Sequence, residues 1–142
     1  MLDGMEKHEP AVVVTPDSIL WVPLRDGAEA GVLSGDPEHS ELEYTIRFRT
    51  SQEIKVHAHW HAEVEHLTVL QGPFSLGFGK VFDDSLLKPL AAGSYVCVPK
   101  QTAHFALYGE GTIVQVNGIG PFKSIYFNPA QDPQRRFRNG SA

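Results

Sequence analysis

His59, His61 and Glu65 stand in one short run, and His104 follows well downstream. Three imidazole nitrogens and one carboxylate oxygen make a donor set for a single divalent metal ion. Side chains two apart on a β-strand share a face, so His59 and His61 point the same way while Trp60 points to the opposite layer. Glu65 lies beyond a short break. The chain is expected to turn after His61 and re-enter a strand carrying Glu65, Leu67 and Val69 on its inner face. His104 must then come from a neighbouring strand. A site assembled from strands far apart in sequence exists only once a barrel has closed, so metal binding and folding reinforce each other.

Nitrogen and oxygen donors of this kind suit Fe(II), Mn(II), Ni(II), Zn(II) or Cu(II), and the sequence does not choose among them. Four protein ligands on a six-coordinate ion leave room for water, substrate or oxygen, the condition for metal-assisted chemistry. His57 has the strand parity of His59 and His61, which predicts a place facing the cavity just beyond the metal; the alternative is a histidine at the mouth or surface. Gln115 and Asn117 alternate with Val114 and Val116. In a barrel holding a small ligand the polar face looks inward, which makes both candidate pocket residues; on a sheet surface they are simply solvated. Arg47 and Arg49 alternate with Ile46 and Phe48 in the same way and are read as solvent-facing.

The elements that must position these groups are short strands. Apolar residues alternate or run in brief pieces, and no stretch makes a long amphipathic helix. Strands are expected at Ala11 to Val14, Leu20 to Pro23, Ala30 to Leu33, Glu43 to Arg49, Ile54 to Trp60, His66 to Gln71, Phe74 to Phe78, Tyr95 to Pro99, His104 to Leu107, Thr112 to Val116 and Phe122 to Phe127. Turn residues separate them, at Asp26-Gly27, Gly35-Asp36-Pro37, Gly72-Pro73, Gly93, Gly109 to Gly111 and Gly118 to Pro121. Strands at this spacing describe an all-β, antiparallel jelly roll. With 142 residues the chain suits one domain. Residues 1–10 read as an N-terminal arm, 11–129 as the barrel and 130–142 as a polar C-terminal tail.

A formal net charge of -5 supplies no basic footprint for nucleic acid. Arg135, Arg136 and Arg138 do cluster, but in the tail, where a solvated end is the reading. Cys97 is the single cysteine, which excludes an intramolecular disulfide and a cysteine-rich zinc site; it is read as a small buried residue. No run of about 18 apolar residues is present to span a membrane. Met1 to Pro10 lacks the apolar centre of a secretory signal, so a soluble cytoplasmic protein is expected.

Around the four donors stands a longer pattern, H-x-H-x3-E-x6-G ending at Gly72, then G-x5-P-x4-H from Gly93 through Pro99 to His104. It resembles the two signature motifs of the cupin superfamily. Gly118-Ile119-Gly120-Pro121 and Asn128 to Pro133 extend the likeness to a subgroup of small single-domain bacterial cupins. The resemblance implies a double-stranded β-helix, that is, a jelly-roll barrel of cupin type, with His59, His61, Glu65 and His104 as metal ligands, and a homodimer. His57-x-His59-x3-Glu63 repeats the ligand spacing and makes Glu63 a competing carboxylate, but the distance to Gly72 favours Glu65. Glu53 and Gln101 stand where these motifs usually carry glycine; both are turn positions. Tyr108 stands where many cupins have asparagine. It shares the face of His104 if the strand runs that far, and would narrow the cavity or offer a phenol to a substrate.

Two chemistries fit such a centre. One is dioxygenase-like oxidation of a small molecule held on Fe(II). The other is isomerase or lyase chemistry, in which a metal polarises a carbonyl and a nearby base such as His57 moves the proton. No phosphate loop or dinucleotide fingerprint accompanies the donors, so catalysis would rest on the ion. The competing class is a non-catalytic barrel that binds or senses a small ligand or metal. Jelly rolls leave sheet edges to be covered, and the Ala11 to Val14 strand could cross to a partner chain.

Overall fold

The computed structural model describes residues 10–134. Eleven strands follow one another along the chain: β1 (Trp21–Arg25), β2 (Ala28–Ser34), β3 (Glu43–Thr50), β4 (Ile54–Trp60), β5 (Glu65–Gln71), β6 (Phe74–Phe78), β7 (Lys88–Pro89), β8 (Tyr95–Val98), β9 (His104–Tyr108), β10 (Ile113–Ile119) and β11 (Ile125–Tyr126). Three single 3-10 turns are the only helical pieces among the described residues. Six strands form one antiparallel sheet in the order β1-β2-β3-β10-β5-β8, and five form the second in the order β11-β4-β9-β6-β7. Neighbours in the sheets are mostly far apart in sequence, the crossing pattern of a jelly roll.

The core lies between the sheets and is built by period-two alternation. Tyr44 and Ile46 of β3, Leu67 and Val69 of β5, Phe74 and Leu76 of β6, Ala106 of β9, and Val114 and Val116 of β10 bury their side chains against one another. The same alternation runs into the site. Glu65 precedes Leu67 and Val69 on the inner face of β5, and Gly118 follows Val114 and Val116 on β10.

Several expectations need correction. Ala11 to Val14 joins no sheet among the described residues. The strand expected at Phe122 to Phe127 shrinks to Ile125–Tyr126. Gly118, read as a turn residue, sits inside β10, opposite both Glu65 and Tyr44. A Cβ there would come within 2.7 Å of the Val64 carbonyl and 3.2 Å of the Tyr44 hydroxyl, so only glycine leaves that approach open. Cys97 is exposed rather than buried, since β8 is an edge strand and Cys97 faces out. Residues 1–9 of the expected arm and 135–142 of the expected tail, with Arg135, Arg136 and Arg138, lie outside the described residues.

Candidate metal centre

Three strands of the barrel and one loop bring the donors together. His59 and His104 are register partners on β4 and β9. His61 sits one residue past the end of β4, where its carbonyl accepts a hydrogen bond of 2.8 Å from the Gln101 amide. Gln101 holds this bridge with a left-handed backbone, φ 61°, at one of the two positions where glycine is usual in the resembling motifs. Glu65 opens β5.

One ring nitrogen from each of His59, His61 and His104 lies within 4.8 Å of the other two. The Glu65 Oε1 atom is 3.4 Å from His104 Nε2 and 3.6 Å from His61 Nε2. Ligand atoms bonded at about 2.1 Å to one ion stand roughly 3 to 4.2 Å from each other, so a small contraction of this set accommodates a cation. The exposed Glu63 takes no part, and Glu65 is the carboxylate among the imidazoles.

Orientation of the rings is set by the backbone. Nδ1 of His59 bonds to the His57 carbonyl at 2.7 Å, Nδ1 of His61 to the Lys123 carbonyl at 2.9 Å, and Nδ1 of His104 to the Thr102 carbonyl at 2.9 Å. A carbonyl only accepts, so each Nδ1 carries the proton and each Nε2 offers a lone pair. That is the tautomer a metal requires, fixed by the contacts behind the ligands. His61 Nε2 is buried with no hydrogen-bond partner, and a buried polar atom left in this way calls for one.

Electrostatics agree with the geometry. Burial and then the neighbouring His104 depress His59 to about 3, and burial also lowers His61. Both rings are neutral at pH 7. Burial pushes the Glu65 carboxyl up, but the closeness of His104, His61 and His59 outweighs it and holds it below the usual range. Imidazole nitrogens beside one anionic oxygen make a site that favours a cation.

Aromatic side chains that the sequence reading did not single out close the site. Phe122 stacks on His61 at 4.9 Å between ring centroids, and Tyr126 lies over His59 at 5.0 Å. Phe122 also reaches Tyr44 and Phe48 of the core. Neither aromatic is flagged by motif spacing, because Phe122 lies outside any strand and Tyr126 in a strand of only two residues. None of the four donors is more than 6% exposed.

The pocket residues proposed from strand parity divide. Tyr108 faces inward, packs edge-on against Phe74 at 5.0 Å and feels the Glu65 charge. His57 does not share the face of His59. Ile54, Val56 and His59 pair with Tyr108, Ala106 and His104, so β4 takes three steps from Val56 to His59 where β9 takes two. This β-bulge reverses the parity. His57 therefore points outward, edge-on to Phe82 at 5.7 Å. Gln115 and Asn117 also face outward. The alternation was right but its sense was reversed, because the barrel interior is a packed apolar core that takes Val114 and Val116. Gln115 instead accepts a hydrogen bond from Arg47 Nε at 2.8 Å on the outer face, and Asn117 is exposed.

Comparison with known proteins fits this fold. The chain is similar in fold to the polyketide cyclase RemF from Streptomyces resistomycificus, with 13% identity, 92% of this chain and 94% of that chain covered, and a TM-score of 0.67. It is similar to an acetylacetone dioxygenase from Acinetobacter johnsonii, with 17% identity over 87% of this chain and 82% of that chain and a TM-score of 0.62. It is also similar to a chain in the complex of Rhodobacter sphaeroides SigE with the anti-sigma ChrR, at 18% identity over 73% of this chain and 50% of that chain, with a TM-score of 0.54. No curated protein matches the chain in sequence. Residues 9–123 match the ChrR cupin-like domain, a span that takes in both histidine motifs and all but the last of the strands, and the chain belongs to that family of cupins.

Proposed function

We propose that this protein is a mononuclear metalloprotein acting on a small molecule, with His59, His61, Glu65 and His104 holding one divalent transition metal ion. The observation that carries the reading is the shared tautomer: three Nδ1 atoms committed to backbone carbonyls, and a buried His61 Nε2 with no partner. A bound Fe, Mn, Ni, Zn or Cu ion would supply Lewis acidity and, for the redox metals, electrons for oxidation. The chain's own residues orient and shield the reacting group. Burial and the Glu65 charge raise the Tyr108 phenol, and burial with the same carboxylate raises the Tyr44 phenol, so both stay protonated at neutral pH and can donate to an oxygen of a bound ligand. His57, facing outward, is not the base of this site. Similarity to a dioxygenase and a cyclase favours oxidation or metal-assisted isomerase or lyase chemistry on a small substrate.

Closure of the site favours a second reading, a barrel that binds or senses a metal or small ligand without turning it over. The family match and the similarity to a chain of a complex containing an anti-sigma protein point the same way. One experiment separates the two. Metal content is measured in the native protein and in Glu65→Ala; the protein is then reconstituted anaerobically with Fe(II) and offered diketones, phenols and thiols while oxygen uptake is followed. Uptake that disappears in the variant supports the oxygenase, whereas retained metal without turnover supports the binder. A cytoplasmic homodimer accompanies either reading. It would cover Val22 and Val32, which are 58% and 50% exposed on β1 and β2, and a monomeric mass in light scattering at micromolar concentration would count against it.

A further inference from the structure

One transverse row of the second sheet carries Tyr126, His59, His104 and Phe78, each in register with the next across β11, β4, β9 and β6. Directly opposed residues on antiparallel strands share a face, so Phe78 stands beside His104 on the side that carries the candidate donors. Parity along β6 agrees. Phe74 and Leu76 are buried in the core, and Phe78 is the next residue on their face. The matching row of the first sheet is Tyr44, Gly118, Glu65 and Val98.

Burial along these two rows is uneven. Tyr44 and Val98 are each 2% exposed and Gly118 is buried, so the first sheet is closed beside Glu65. Toward the core, Leu67 and Ala106 follow Glu65 and His104 at two-residue spacing, and both are buried. Tyr126 and Phe122 lie against the rings of His59 and His61. Phe78, at 49%, is the most exposed residue of the two rows. Its row ends there because β7 pairs with β6 only at Ser75 and Leu76, which leaves no strand beside Phe78 on that side among the described residues. The backbone at this point is nevertheless fixed, since the Gly79 amide donates to the Ala103 carbonyl at 3.1 Å, next to His104. An isolated aromatic on an outer face needs no explanation, but Phe78 is on the inner face beside a candidate ligand. A phenyl group so placed is suited to meet the apolar part of an incoming molecule.

We propose that Phe78 is a specificity-determining residue of the metal centre, selecting small molecules that carry an apolar or aromatic group beside the oxygen donor that reaches the ion. The inference rests on the metal-site reading given under Proposed function. Its test uses the full chain loaded with Co(II), with the visible absorption of the ion followed while acetohydroxamate or benzohydroxamate is titrated in. The two probes share a metal-binding head and differ as methyl against phenyl. Native protein is expected to bind benzohydroxamate about tenfold more tightly, the scale of one aromatic contact. In Phe78→Ala that preference should shrink about fivefold, with the affinities for acetohydroxamate and for cobalt unchanged. Phe78→Leu, which keeps an apolar side chain, should retain part of the preference and carries the test should the alanine variant lose cobalt. Cobalt bound without either hydroxamate, or a preference equal in native and variant proteins, overturns the role of Phe78 and leaves the metal site standing. A native protein that takes up no cobalt overturns both.

Discussion

Glu65 sits in a strand bonded on both sides, to β10 and β8, whereas Tyr126 sits in a two-residue strand bonded only to β4. His59 and His104 share the first situation, since β4 and β9 are interior strands of their sheet. Three of the four candidate donors thus inherit their positions from the long-range ladders of the whole fold. The aromatics above them come from the segment that follows β10, with Phe122 held by the Pro37 carbonyl, Tyr44 and Phe48 and Tyr126 paired with β4. The donor geometry cannot be altered without disturbing the barrel, whereas Tyr126 lies in a two-residue strand at a sheet edge.

The sharpest way to break this comparison is to remove a donor from the ladder side. His104→Ala should lower metal affinity at least about 100-fold, since even groups behind a ligand are worth about 10- to 100-fold. His57→Ala, two residues before a ligand but on the outer face, should leave affinity unchanged. Competition titration with a chromophoric chelator measures both, and equal losses would show that the bulge in β4 has been misassigned.

Acid strikes the same side with a smaller effect. His59 in the folded protein is depressed to about 3 from an unfolded value of 6.5, so between those values the unfolded chain binds a proton that the folded one does not. Stability is therefore present above pH 6.5 and is lost as pH falls toward 3. From pH 7.5 to 5.5, His59 alone should cost the metal-free protein on the order of 1 kcal/mol, and the lowered His61 adds to it. Urea unfolding at the two pH values reads this directly; a flat profile would mean that the rings are not held neutral.

The smallest effect sharpens the picture of how His61 is held. Gln101 keeps a left-handed backbone that costs an L-residue about 1–2 kcal/mol, offset in part by the entropy that glycine loses on folding. Gln101→Gly should raise the unfolding free energy by about 0.5–1 kcal/mol while keeping the amide bond to His61 and the metal affinity. A loss of stability on thermal or urea denaturation would show that the Gln101 side chain has a role of its own.

Much of the barrel was legible because burial on one face of a strand imposes a period of two. Ile54–Trp60 and Phe74–Phe78 have the bounds their apolar pattern predicts, and Glu65, Leu67 and Val69 turn inward together. The two-residue β7 was missed, since Lys88–Pro89 carries no periodic signal. His57 was misplaced because a bulge adds one residue without marking it in the sequence. Gln115 and Asn117 were misplaced because alternation shows that two faces differ and not which of them meets the core.

What the sequence determined by itself was the chemistry of the candidate donors, the all-β class and the strands that carry His59, Glu65 and His104, since residue type and periodicity are local properties of the chain. Tertiary structure decided the rest: the shared orientation of three histidine rings, the outward turn of His57, and the cover of Phe122 and Tyr126. Each of these depends on carbonyls, bulges and rings contributed by distant segments, and such contacts acquire a position only when the two sheets close on one another.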